Sequence, residues 1–121
     1  IRAANTDAVP FIRDCIPPLS LHGARIFFPD PWPKARHNKR RLIQPEFASL
    51  LASKLAPGAF LHCATDWQPY AEHMLEVLTA SDFTNTTQNY LPRPDWRPLT
   101  RYEQAGLDKG HAVFDLFFTR T

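Results

Sequence analysis

The chain has 121 residues, 44% hydrophobic and 21% charged, with a formal net charge of +2. These figures exclude disordered, fibrous and membrane-spanning classes and fit one globular domain. No apolar run approaches the ~20 residues of a membrane span, and the opening IRAANTDAVP lacks the basic and apolar regions of a secretory signal. Cys15 and Cys63 lie far apart with no C-x-x-C and no paired histidine spacing, so neither a disulfide framework nor a zinc site is expected. A reducing, cytoplasmic setting without metal fits best, and no membrane partner is expected.

Asp7 followed by AVPFIRDCI predicts a short helix, with Asp7 capping its free amides, Ile12 and Ile16 one turn apart, and Pro17 and Pro18 stopping it. Ala24 to Phe28 (ARIFF) reads as a buried strand ended by Pro29. The loop FPDPWPK follows, crowding Pro29, Pro31 and Pro33 together in a chain with 12 prolines. Immediately after comes KARHNKRR, in which Lys34, Arg36, Lys39, Arg40 and Arg41 have no acid beside them.

Pro45 opens a helix through about Leu55, with Phe47, Leu50, Leu51 and Leu55 on one face, and Pro57–Gly58 end it. Ala59 to Ala64 (AFLHCA) reads as a second buried strand. Asp66 then caps a third helix whose apolar positions are Tyr70, Met74, Leu75 and Leu78. The stretch from Asp82 to Arg101 reads as a short strand and a long proline-bearing connection. His111 to Thr119 (HAVFDLFFT) reads as a final strand that turns back as the antiparallel edge of a mostly parallel sheet. His62 is expected to pack in the core and His73 to face solvent, while Asp115 is either a satisfied buried carboxylate or an exposed one. Alternating strands and helices make this an α/β chain, whose ligands belong beyond the carboxyl ends of the strands, where Asp30, Lys34 and Asp66 could converge.

Ile26 to Leu42, IFFPDPWPKARHNKRRL, resembles the signature FPDPW-x-K-x-R-H-x-K-R-R of the bacterial tRNA (guanine-N7)-methyltransferases. Arg97 to Phe118 is similar to that family's closing pattern RP-x-T-x-[FY]-E-x-R-G-x-x-x-G-H-x-V-x-D-L-x-F, and with NTDA near the start the resemblance covers essentially the whole chain. Ala105 stands where the family usually has arginine. The chain holds four glycines, at 23, 58, 106 and 110, and no glycine-rich strand-to-helix turn of the kind with which the family binds S-adenosylmethionine. The expectation is therefore the carboxyl portion of a partial class I S-adenosylmethionine-dependent methyltransferase (Rossmann-like) sheet, mostly parallel with an antiparallel last strand, and inactive by itself.

The resemblance implies a methyl transfer from S-adenosylmethionine to N7 of the variable-loop guanine of tRNA. It places Asp30 in the active site at the donor's methyl and Asp7 at its adenosine end. It assigns substrate contacts to Lys34, Asp66, Thr100, Arg101, Tyr102 and Glu103, and RNA contacts to Arg36, His37, Asn38, Lys39, Arg40 and Arg41. The chemistry suits these residues: guanine N7 has a lone pair and no proton, so attack on a sulfonium methyl needs positioning and electrostatics more than a base. The arginines can grip phosphate oxygens bidentately.

Plainer readings stand beside these. PDPWP can be a rigid surface turn, Asp7 a helix cap, KARHNKRR a solvated charge run, and Thr100 with Glu103 a capping box. A rival function is an RNA-binding module without catalysis, its surface made of KARHNKRR and the segment from Arg93 to Arg101. The strand Ala24 to Phe28 is expected at an open sheet edge, where it would favour self-association.

Overall fold

Over residues 6–92, 97, 101–108 and 112–121, the computed structural model shows how the apolar pattern resolves into layers. Helix α1 (Ala8–Cys15) precedes strand β1 (Leu21–Phe27), and a 3₁₀ helix (Ala35–Arg40) carries the basic run. Helix α2 (Pro45–Lys54) passes directly into β2 (Leu55–Thr65), followed by α3 (Gln68–Thr79) and β3 (Phe83–Asn85). Helix α4 (Arg101–Asp108) and strand β4 (Phe114–Arg120) close the described chain. His111, Thr100 and the Tyr102 side chain lie outside the described residues.

Pro45 and Pro69 sit in the first turns of α2 and α3, where a helix has no use for their missing N–H. Two expected caps are not formed. Asp7 holds the N-cap position of α1 without a side-chain bond, leaving its backbone carbonyl to accept the Phe11 N–H. Asp66 does not cap α3: β2 runs on to Thr65, whose hydroxyl accepts the Trp67 N–H at 3.2 Å, and Trp67 becomes the capping position.

The sheet order is β1-β2-β4-β3, with β1 parallel to β2 and β4 antiparallel to both β2 and β3. Three strands thus share a direction and one opposes them, the mostly parallel arrangement expected. The place of β4 is corrected, however: it lies inside the sheet, because the three-residue β3 pairs outside it from Phe83↔Arg120 to Asn85↔Phe118. Burial of Asp115 and Leu116, which point to opposite faces, agrees with an interior strand. The start of β2 also differs from the Ala59 expected. The strand runs through Pro57–Gly58, its register jumping from Leu21↔Leu55 to Gly23↔Phe60, with Gly58 at a φ of 82° in the bulge.

One face of the sheet presents Leu61, Cys63, Leu116 and Phe118 to the helices, where they join Ile43, Phe47, Leu51, Tyr70, Met74 and Leu78 in a single core. The opposite face is aromatic. There Phe60 stacks on Phe117 at 5.7 Å and leaves no room at Gly23, where a Cβ would stand 2.1 Å from the Phe60 ring. β1 is an edge strand and, among the described residues, its outer side pairs with no strand.

Candidate active site at the carboxyl edge of the sheet

Register brings four stretches of chain to one edge. Phe27 at the end of β1 pairs with Ala64, and Ala64 and Thr65 at the end of β2 pair with Asp115 and Phe114 at the start of β4. Leu91 bridges to Asp115 from the connection after β3. Asp30 and Asp66 therefore follow adjacent strand ends, as the α/β reading required. The Lys54 ammonium donates to the Arg13 carbonyl at 3.2 Å, tying the end of α1 to the start of β2, while Asp7 at the opposite end of α1 is exposed.

The FPDPW segment makes its turn through two residues in left-handed backbone, Phe28 at φ 53° and Trp32 at φ 42°. Neither is glycine, and holding a bulky residue there costs on the order of 1–3 kcal/mol unless its surroundings over-determine it. They do. The Phe28 N–H donates to the Ala64 carbonyl at 2.7 Å, and the Trp32 N–H donates to Asp30 Oδ1 at 3.1 Å. The carboxylate of Asp30 is thereby fixed in direction yet exposed to solvent.

Beyond this turn the basic run coils into the 3₁₀ helix, beginning after Lys34, whose carbonyl accepts the His37 N–H at 2.8 Å. Lys34, Arg36, Lys39 and Arg40 are exposed, and His37 and Asn38 are half-buried. The Trp32 ring anchors the run to the turn: His37 meets it edge-on at 5.8 Å and the Arg40 guanidinium lies 5.2 Å from its centre. Arg41 departs from the reading as a phosphate ligand. It is 6% exposed, its Nε–H donates to the Pro31 carbonyl at 2.6 Å, and its guanidinium lies 5.0 Å from the Tyr70 ring centre.

Helix α3 grips the next residues through the Ile43 peptide. Its N–H donates to the Tyr70 hydroxyl at 3.0 Å, and its carbonyl accepts from His73 Nε2 at 2.9 Å. His73 is thus half-buried and carries its proton on Nε2, not exposed as its place on the helix suggested. Burial pushes the Tyr70 hydroxyl up to about 12 and the Cys63 thiol up to about 12, so neither ionises near neutrality.

The residues that sequence reasoning did not connect lie behind the turn. Asp115 resolves to the buried alternative: His62 Nε2 lies 2.8 Å from its Oδ1, and Arg97 donates to it through Nε at 2.6 Å and Nη2 at 2.9 Å. The other side of the Arg97 fork meets Glu103 of α4, with Nη1 on Oε1 and Nη2 on Oε2 at 2.8 Å. His62, Arg97, Glu103 and Asp115 are all no more than 2% exposed. Burial raises the Asp115 carboxyl, but the bonds and charges of His62 and Arg97 outweigh it and hold the group below its ordinary value. The Glu103 bond, against the opposing effect of burial, drives Arg97 further up and keeps it charged.

Glu103, expected at the substrate, is 2% exposed and bonded to Arg97. Arg101 is exposed at the start of α4, and Asp66 is half-buried at the end of β2. No single motif spacing gives the His62–Asp115–Arg97–Glu103 chain, because its members come from β2, β4, the connection and α4. The available signal was the pairing of Arg97 and Glu103 within RPLTRYE.

An open α/β sheet with an oriented carboxylate and a basic helix at its carboxyl edge belongs with proteins that handle ligands at strand ends. Residues 1–116 match the family described as "Putative methyltransferase", and the chain belongs to that family. It is 64% identical over 123 residues to the tRNA (guanine-N(7)-)-methyltransferase of Streptomyces avermitilis, covering 99% of this chain and 42% of that protein. It is 60% identical over 121 residues to the protein of the same name in Burkholderia thailandensis, covering 99% of this chain and 46% of that protein. The chain thus spans less than half the length of these curated relatives. Among solved structures, one described as a "putative methyltransferase from Thermoplasma acidophilum" covers 91% of this chain and 43% of its own at 19% identity, with a TM-score of 0.49.

Proposed function

We propose that this chain forms the guanine-facing part of a methyltransferase that moves a methyl group from S-adenosylmethionine to N7 of the variable-loop guanine of tRNA, position 46. The observation that carries the reading is the Asp30 turn. An exposed carboxylate is held by the Trp32 N–H of its own turn, after the end of β1, between two left-handed residues and directly before an exposed basic helix. The names and identities of the relatives support the substrate.

The fit to the donor is partial. Gly23 lies in β1, Gly58 in the β2 bulge and Gly106 in α4, so no glycine-rich strand-to-helix turn occurs among the described residues to cradle the donor's carboxylate and ribose. Asp30, with Asp7 assigned to the donor's adenosine end, fits only a positively charged methyl and its surroundings. When bound, the donor supplies a methyl activated by sulfonium charge.

This chain's own residues act on the guanine side. Lys34, Arg36, Lys39 and Arg40 meet phosphates, with His37 and Asn38 shaping that surface, so that RNA is read through backbone and shape. Asp66 and Arg101 act on the base, a role that the family pattern also gives to Thr100 and Tyr102. Asp30 favours the purine as positive charge arrives on it, and no proton has to leave N7 during attack. The geometry asked of these groups is alignment of nucleophile and methyl.

The test is label transfer from S-adenosylmethionine to an unmodified tRNA transcript by the complete gene product, with the product nucleoside read by mass spectrometry. Label recovered as 7-methylguanosine from the variable loop is the expected result. Tight RNA binding with no methyl transfer would replace the reading with a non-catalytic RNA-binding module.

A further inference from the structure

We propose that Arg97 is a positioning residue for methyl transfer: clamped between Asp115 and Glu103 and set against Phe28, it fixes the Asp30 turn relative to helix α4. The inference rests on the methyl-transfer reading above and adds to it a residue that touches neither RNA nor donor.

The clamp leaves the guanidinium little freedom. Two fork edges of one planar group are occupied bidentately, Nε and Nη2 by Asp115 and Nη1 and Nη2 by Glu103. Asp115 is itself held from β2 by His62, which is wedged between Phe27 at 4.9 Å and Phe117 at 5.6 Å. The plane is therefore referenced to the centre of the sheet. It also meets the turn, where the Arg97 carbon lies 5.9 Å from the centre of the Phe28 ring.

Phe28 is the residue that needs such a reference. Its left-handed backbone, two residues before Asp30, is tied down by a hydrogen bond to Ala64, and the ring contact with Arg97 restrains its side chain. Through Glu103 the same guanidinium sets the first turn of α4, whose Arg101 faces solvent. One buried cation thus joins the carboxylate turn to the helix that borders the base, although Phe28 and Glu103 are 75 positions apart in the chain. A stabilising role alone would be met as well by apolar packing at the same volume.

Arg97→Lys in the complete gene product separates position from charge, because an ammonium cannot bond two carboxylates side-on at once. The expected result is a fall in kcat of about tenfold or more per folded molecule, with KM for tRNA within about twofold of the parent. Glu103→Gln keeps shape and one acceptor and leaves the Asp115 arm intact; it serves where the lysine variant does not fold, and the same kcat-only loss is expected. Because both act through one clamp, the double variant is expected to be no slower than the worse single one, whereas independent roles would multiply. An unchanged kcat per folded molecule, a rise in KM at constant kcat, or multiplying losses would overturn the proposal while leaving the methyl-transfer reading standing. A parent protein that transfers no methyl to guanine N7 would overturn both.

Discussion

Arg40 and Arg97 carry the same group in opposite settings, and the contrast separates what this chain offers to a partner from what it keeps for itself. Arg40 sits exposed on a 3₁₀ helix, its guanidinium over the Trp32 ring. Arg97 is 1% exposed and bonded to two carboxylates. The first can neutralise a phosphate at little desolvation cost, while the second would lose buried partners if it moved. Arg41, one residue after Arg40, belongs with Arg97, so position along the sequence does not sort the arginines; burial does.

The largest expected effect lies in the buried region. Asp115→Ala leaves Arg97 with one carboxylate and His62 without its acceptor, and is expected to lower folding stability by about 3–5 kcal/mol, read from the urea midpoint. A loss under about 1 kcal/mol would mean that the clamp behaves as a solvated surface pair.

The adjacent arginines divide more sharply. Arg41→Ala removes the bond to the Pro31 carbonyl and is expected to cost about 1–3 kcal/mol of stability. In RNA-binding titrations it leaves the slope of log K against log salt unchanged. Arg40→Ala is expected to do the reverse, reducing that slope by about 0.7–0.9 with stability within about 0.5 kcal/mol of the parent. Equal slopes for the two variants would break the comparison.

The smallest effect is one of pH. Asp115 has its carboxyl depressed in the folded state from an ordinary value of 3.8, so its contribution is complete above that value and is lost as pH falls through the folded one. Thermal melting from about pH 5 to about pH 3 is expected to fall more steeply for the parent than for Asp115→Asn. Parallel curves would mean that this carboxylate does not carry the acid response.

The legible parts of the molecule are those written in local patterns. Helix-spaced Phe47 and Leu51, the proline opening α2, and the apolar run around Leu61 and Cys63 place their elements within a few residues of those observed. FPDPW followed by KARHNKRR shows a turn and a basic surface together, and both occupy the carboxyl edge. What was not legible depends on pairing between distant segments. β4 reads as an edge strand until β3 is seen outside it, and the bonds of Arg97 to Glu103 and Asp115 join α4 to β4. The bulge at Pro57–Gly58 shows the same limit: two residues that end helices elsewhere are absorbed here into a strand, because Leu55 already pairs with Leu21.

The most direct measurement compares Asp30→Asn with the parent in two assays on the same unmodified tRNA, equilibrium binding and methyl transfer. Asp30 is exposed, and the amide retains an oxygen to accept the Trp32 N–H, so the turn persists and only the charge is removed. Transfer is expected to fall about 100-fold or more while RNA affinity is unchanged or slightly higher, the pattern of a group acting on charge that develops during the reaction. Transfer retained within a few-fold of the parent would contradict the assignment of this turn as the site of chemistry.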